Sequence, residues 1–452
     1  MARLVASYPF CLLMIVAAAM LHPATVQGQG VAPPVRGTDL EKDYDKAFQA
    51  MLADPANLDK AFVFAELAAR VGDFEGAIGA LERMLFINPD LPRVRLELGV
   101  LYFRLGSYET ARAYIQSALN APQVPAAVRE RATTFLAEID QRVKPHKFSG
   151  GVFAGVRYQT NANSAPGGAN VNLGGLIFTL SDNATAKSDY NLFVAANAQH
   201  VYDLQTQGGE TIESTANAYA SRQDEQRQVD VIVAQLTSGP RLPLAFLPQA
   251  SIRPFIGLDY IILDDVRYFW APVAGAAVRS QILPATGIEI GADIRDRRYR
   301  DSNKRPNNSD QDGLVASLSA QVTQQLFSFM QVSAAVAYSD EQSRAGFQAN
   351  EEIAFTLGAA VVFPGPIEFT PAPWTLSANA TRGFAYYDSA DPAIAPNTVR
   401  EDIDWRANAT LAVPLTESLG LIVSGGLFRR ESNLQLYAYR NTFGSVGASW
   451  RV

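Results

Sequence analysis

The residues best suited to chemistry are few in this 452-residue chain and stand far apart. His22, His146 and His200 are its only histidines, and neither their separation nor their neighbours give a helical zinc motif or a triad. The single cysteine, Cys11, lies in a segment expected to be cleaved, so thiol catalysis, thiolate ligands and disulfides are excluded from the mature chain. Asp264-Asp265 and Glu351-Glu352 are paired acids beside turns, where solvated loop faces account for them. Asp301, Asn303, Asn307, Asn308, Asp310 and Asp312 supply oxygen ligands without the ladder and closing glutamate of a helical calcium loop. No catalytic residue, metal or cofactor is assigned, and the chain is not expected to be an enzyme.

A second set of polar residues recurs by twos. Glu289, Gly291, Asp293 and Arg295 oppose Ile288, Ile290, Ala292 and Ile294; Asp404, Arg406, Asn408 and Thr410 oppose Ile403, Trp405, Ala407 and Ala409. Gln331 to Ser339 and Gly444 to Val452 alternate in the same way. This period belongs to β-strands with one apolar and one polar face. A soluble sandwich would turn the apolar face inward, whereas a transmembrane barrel turns it to lipid and lines a wet lumen with the polar one. Tyr and Trp near strand ends (Tyr158, Tyr268, Trp270, Trp374, Tyr386, Tyr387, Trp450) favour the barrel, as does alternation that continues to Val452. The candidate lumen-facing residues are Glu289, Asp293, Arg295, Asp404, Arg406 and Asn408. Asp293, Arg295, Arg297 and Arg298 with Asp404 and Arg406 would form an electrostatic constriction, or pair to brace the wall.

Fourteen strands are expected between residues 148 and 452, beginning near 148–159, 189–203 and 211–224 and ending with 401–414, 418–431 and 438–452. An even count returns both barrel ends to one side of the membrane. Val171 to Leu180 would make a fifteenth strand and is assigned to a long first external loop. Links rich in Asn and Asp (161–172, 302–312, 387–398) fall outside, while those with Gly239-Pro240 and Pro364-Gly365-Pro366 fall on the periplasmic side.

The first 147 residues read differently. Arg3, an apolar run from Phe10 to Leu21 and the small-residue exit Val26-Gln27-Gly28 form a secretory signal peptide, residues 1–28, followed by a lead-in over 29–38. Gly72, Phe74, Ala77 and Leu85 then match Gly106, Tyr108, Ala111 and Leu119 at a constant spacing of 34, the tetratricopeptide period. Gly99, Ala77 and Ala111 are where the helices of a unit approach closely. Tyr44 and Ala47 echo the pattern upstream, and Val128, Ala132, Phe135, Leu136 and Ile139 mark a capping helix. The fold class is therefore α plus transmembrane β: a small α-solenoid over 39–147, then a 14-stranded antiparallel outer-membrane barrel over 148–452.

Composition fits this division. Net charge is −7, and −8 without Arg3, which speaks against a nucleic-acid partner. Residues 29–147 hold 15 basic against 16 acidic residues and the barrel 22 against 29, so the acidity belongs to lumen and loops. The 48 % apolar share forms no unbroken run of about 18 residues after the N-terminus, because much of it falls in single-residue steps.

Signal peptide, helical repeats and fourteen-stranded barrel follow in an order that resembles the surface lipoprotein assembly modulator (Slam) family. Ser149 to Pro166 is similar to that family's opening barrel strand, with Tyr158, Asn161, Asn163, Ala165 and Pro166 fitting while Gln159 and Thr160 replace the usual Asp and Ser. The resemblance implies a translocon that moves a protein client, a surface lipoprotein or small secreted protein, from the periplasm to the surface of a Gram-negative bacterium. The periplasmic helical domain would dock the client. Outer-membrane lipid and, during insertion, the barrel-assembly machinery are the other implied partners. Most such barrels end in an aromatic residue, so Val452 is a departure, and Val452→Phe is expected to raise the folded fraction. A passive channel for ions or small solutes is the alternative. An outer-membrane hydrolase is a third class, for which His200, near the periplasmic end of its strand, stands at the wrong level.

Overall fold

The computed structural model describes residues 38–451 except 143, 174–175, 207, 248 and 367–371. The signal-peptide segment, the lead-in up to residue 37 and Val452 lie outside the described residues. Two compact units divide at Lys144 and Pro145.

The first unit contains α1 (Thr38–Ala53), α2 (Leu58–Val71), α3 (Phe74–Ile87), α4 (Pro92–Arg104), α5 (Tyr108–Leu119) and α6 (Ala126–Arg142). Its helix ends follow from local chemistry. Asn57 caps α2 by accepting from the amides of Asp59 and Lys60, and Asp73 caps α3 by accepting from Gly76. Gly72 ends α2 at φ +91° and Gly106 follows α4 at φ +77°, the same turn 34 residues on, where a left-handed backbone favours glycine. Ala77, Ala111 and Leu98 have no exposed surface. A Cβ on Gly99 would stand 2.4 Å from Cγ1 of Ile115, so the expected close approach of α4 and α5 is real. Val128, Ala132 and Ile139 of α6 are buried, with Phe135 and Leu136 packed beside them.

The second unit is a closed antiparallel barrel of fourteen strands. These are β1 (His146–Gln159), β4 (Asp189–Asp203), β5 (Thr211–Gln223), β6 (Val231–Pro243), β7 (Ala250–Leu263), β8 (Val266–Leu283), β9 (Thr286–Tyr299), β10 (Gly313–Phe327), β11 (Met330–Glu341), β12 (Asn350–Phe363), β13 (Trp374–Ala390), β14 (Val399–Pro414), β15 (Leu419–Ser432) and β16 (Tyr439–Arg451). Each pairs with its chain neighbour, and β1 closes on β16 from Gly151–Arg451 to Gln159–Phe443. The two short strands β2 (Asn170–Leu173) and β3 (Leu176–Thr179) pair only with each other, in the β1–β4 connection. The apolar stretch at Val171 thus forms a hairpin outside the barrel wall.

Connections differ between the two rims. Those after β1, β9, β11 and β13 are long, whereas β8–β9 and β10–β11 turn in two residues. We call these the long-loop rim and the terminal rim, since β1 starts and β16 ends at the second. The Asp264-Asp265 link is an exception on the long-loop rim, a two-residue hairpin turn with both φ near +60°. Outward residues form an apolar wall that includes Leu192, Val194, Leu236, Ile256, Ile290, Leu318, Leu357 and Val446, all exposed. Among the described residues no helix is long and apolar enough to cross a membrane. The alternating wall is what crosses, as in an outer-membrane protein.

Two expectations change. β1 opens at His146 rather than 148 and pairs from there with Tyr202 of β4. Gly239-Pro240 is no link but lies within β6, paired with β5. Pro240 has no amide to donate, and pairing of β6 with β7 lapses between Ser238 and Leu242. A Cβ on Gly239 would lie 1.9 Å from the Pro254 carbonyl oxygen, so only glycine allows β7 this close.

Candidate functional site

The inner wall is identified by ion pairs that reach across an intervening strand, which only a concave face permits. Arg295 of β9 meets Asp259 of β7 at 3.3 Å, Arg253 of β7 meets Glu213 of β5 at 3.7 Å, and Arg406 of β14 meets Glu352 of β12 at 3.6 Å. Arg297 of β9 and Glu341 of β11 form a further pair. Alternation then assigns Glu289, Asp293, Arg295, Asp404, Arg406 and Asn408 to this face, because they share parity with the bridging residues in β9 and β14. Arg298 does not: it faces outward and pairs with Asp296 at 2.6 Å, so it drops out of the supposed constriction.

These charges gather near both rims; toward the terminal rim Glu213 meets Arg241 and Arg253, and toward the long-loop rim a larger network forms. Asp404 accepts from Arg430 at 2.7 and 2.6 Å and from Arg406 at 2.9 Å, while Asp402 accepts from Arg400 at 3.1 and 2.6 Å. With Glu352 beside Arg406, three acids answer three arginines. Tyr387, Tyr437, Phe428 and Tyr439 stack against the guanidinium groups. On the opposite wall Asp293, Arg295 and Asp259 form a second cluster. Glu289 is apart from both, paired with Arg279 at 2.7 Å near the terminal rim. A single-sign ring, the usual means of ion selection, is not what these residues build.

The lumen is also less uniformly polar than alternation promised. Phe193, Tyr219, Val231, Val233, Ile261, Leu263, Phe269 and Tyr299 are buried together on the inner face of β4 to β9. Arg157 lies over Phe193 at 4.6 Å and donates to the Tyr219 hydroxyl at 3.1 Å. The signal was present as odd-numbered apolar residues in β6 and β7, but those strands are apolar on both faces and lose the alternation that reveals a lumen.

Only one acid of each pair, Asp265 and Glu351, is an exposed face; its neighbour is not. Asp264 is 7 % exposed and accepts from Lys304 at 2.7 Å, and Glu352 belongs to the inner network. Loop burial decides this, and sequence position beside a turn conceals it. The separation of the histidines in sequence was equally misleading, since the β1–β4 register sets His146 Nδ1 and His200 Nε2 at 2.9 Å, outside the wall beside Phe148 and Tyr202. No group of three metal-ligating side chains occurs among the described residues. Asp301 is held by the amide and hydroxyl of Ser309, which keep its carboxyl below the usual range.

The first-strand motif closes the barrel. Asn161, 2 % exposed, donates from Nδ2 to the carbonyls of Ala165 (2.8 Å) and Arg440 (3.1 Å) and accepts from the Ala165 amide (3.1 Å). Asn163 donates to the Thr185 carbonyl and accepts from the Lys187 amide, and the Pro166 carbonyl accepts from Ala186. Tyr158 faces outward against Tyr190, with ring centroids 4.8 Å apart.

On the helical unit, α2, α4 and α6 share a face. Arg93 lies over Phe62 at 4.6 Å, and Arg131 pairs with Glu97, its counterpart one period earlier. Val63, one further period back, is half exposed. Such a row on the first helix of each unit is what a repeat stack offers an extended peptide.

A tetratricopeptide-repeat family model matches residues 68–130. Solved structures similar to the helical unit include PcrH in complex with the chaperone binding region of PopD, at 19 % identity over 23 % of this chain and 81 % of that one, TM-score 0.22. The type III secretion translocator chaperone SycD of Yersinia enterocolitica follows at 14 % identity, over 23 % and 74 % of the two chains, TM-score 0.22. MamA is similar at 16 % identity over 23 % and 61 %, TM-score 0.21. No curated protein matches the chain.

Proposed function

We propose that this chain is an outer-membrane translocon that moves one protein client, a surface lipoprotein or a small secreted protein, from the periplasm to the surface of a Gram-negative cell. The observation that carries the reading is the fusion, in one chain, of a tetratricopeptide unit to a closed fourteen-stranded barrel. The even strand count returns β1 and β16 to one rim, so the segment before β1 leaves from the terminal rim, with the helical unit in the periplasm and the long loops outside. The row Val63, Glu97 and Arg131 then receives an unfolded client segment and the barrel passes it outward.

The chain does this without catalysis, nucleotide or bound cofactor, and client folding outside supplies the direction. A solute channel is the weaker reading, because most inner charges stand beside a charge of opposite sign. Deleting residues 39–145 is expected to abolish surface display of the client while the barrel still assembles and shifts on heating in gel electrophoresis. Undiminished display by an assembled, helix-less barrel overturns the proposal.

A further inference from the structure

The outer wall carries one arrangement that neither lipid contact nor wall bracing explains. On β13 to β16 the register places Arg382 opposite Trp405, Trp405 opposite Arg429, and Arg429 opposite Arg440, so the four side chains stand in one outward row. All three arginines are exposed, and Trp405 is 41 % exposed between them. Arg382 lies over the Trp405 ring at 4.5 Å and the Phe384 ring at 4.9 Å. Arg429 has Glu431 at 3.1 Å, while Arg382 and Arg440 form no ion pair among the described residues.

Like charges directly opposite on neighbouring strands repel, and with Glu431 answering one of the three arginines the row keeps a surplus of two positive charges. An anion laid along the row offsets that repulsion. The level is also telling. Along β13, Arg382 is eight residues from the outward Trp374, and along β16 Arg440 is ten from Trp450. At about 3.3 Å per residue and a tilt of about 40°, those steps are about 20 and about 25 Å, one apolar band away from the aromatic girdle at the terminal rim. The arginines therefore stand at headgroup depth, beyond Ala407, Ala409, Leu411, Leu427 and Val446 on the same face. From Arg382 to Arg440 is three strand spacings, about 14 Å, room for more than one phosphate. Elsewhere the outward arginines differ: Arg298 is neutralised by Asp296, and Arg222 on β5 has no outward arginine directly opposite it.

We propose that Arg382, Trp405, Arg429 and Arg440 form a binding site for the phosphorylated sugar headgroup of an anionic glycolipid in the outer leaflet. This rests on the reading that the long-loop rim faces outward. The guanidinium groups take the phosphates as bidentate donors, and Trp405 holds Arg382 in place while its ring meets the sugar.

The test is native mass spectrometry of the full chain in non-ionic detergent, titrated with bis-phosphorylated lipid A, its dephosphorylated form and inorganic pyrophosphate. Bis-phosphorylated lipid A is expected to bind at least tenfold more tightly than the dephosphorylated lipid, and R382Q/R429Q/R440Q to lose that preference while R222Q keeps it. R440Q alone, for use if the triple variant does not fold, is expected to weaken binding about threefold. Equal binding of both lipids, equal binding by folded variants, or binding of pyrophosphate with none of lipid A each overturns the site. The readout is independent of client display, so failure here leaves the translocation reading standing, and unchanged display after helix deletion leaves the site standing.

Discussion

Asn161 donates a hydrogen bond of 3.1 Å to the backbone carbonyl of Arg440, fastening the residue just past the first barrel strand to the last strand. The Asn161 amide in turn donates to Asn441 Oδ1 at 3.0 Å, and Asn441 donates to Gln159 Oε1 at 3.1 Å. The seam that closes the barrel thus ends in a buried amide clamp, built partly from the residues that resemble a known opening strand.

Asn161→Ala removes three side-chain hydrogen bonds and leaves the Ala165 and Arg440 carbonyls short of a buried donor. At about 1 kcal/mol per bond, with unpaired groups costing more, a loss of about 2–4 kcal/mol is expected. The temperature at which the folded band converts on electrophoresis should fall clearly, and an unmoved transition removes the clamp from the account.

Asp404→Ala takes from Arg430 and Arg406 their nearest acidic partner, leaving Asp402 at 3.4 Å and Glu352 at 3.6 Å. Breaking a buried pair from one side costs about 3–5 kcal/mol, whereas replacing both partners by apolar groups is often neutral. Urea unfolding should therefore place D404A well below the parent and D404L/R430M between the two. A D404A midpoint equal to that of the parent contradicts the bracing role.

Gly99→Ala and Gly79→Ala separate propensity from packing. Alanine gains about 1 kcal/mol over glycine in a helix interior. At Gly79 a Cβ meets nothing within 4 Å, so G79A should be more stable. At Gly99 the Cβ meets buried Ile115 at 2.4 Å and the Ala111 carbonyl oxygen at 3.1 Å, and overpacking of about 1–3 kcal/mol should outweigh the gain. Helical ellipticity against urea distinguishes the two; equal shifts contradict close packing of α4 on α5.

Tyr44 donates to Asp73 at 2.9 Å, and that bond, followed by burial, holds its hydroxyl above the ordinary value of 10.0. A group whose folded value is raised stabilises below its unfolded value and loses this as pH climbs through the folded one. The advantage of the parent over Tyr44→Phe should be full at pH 8 and fade above pH 10. Helical ellipticity of both proteins in urea at pH 8, 10 and 11 reads this, and a gap that does not narrow contradicts the assignment.

Local periodicity is the part of this fold that a stretch of chain can encode. The spacing of 34 placed Gly72 and Gly106 at equivalent turns, because a left-handed residue must recur where a helix pair recurs. Alternation by twos gave the fourteen strands and the inner parity of Glu289, Asp293, Arg295, Asp404, Arg406 and Asn408, because a strand has two faces. Tertiary structure alone decided which of these meet. Cross-strand register brought His146 to His200 and Arg429 to Arg440, and curvature brought Arg406 to Glu352 across a strand. Register and curvature are set by closure of the whole ring, which no window of sequence contains. They turned candidate lumen charges into paired braces and left the unbalanced arginines on the outer wall.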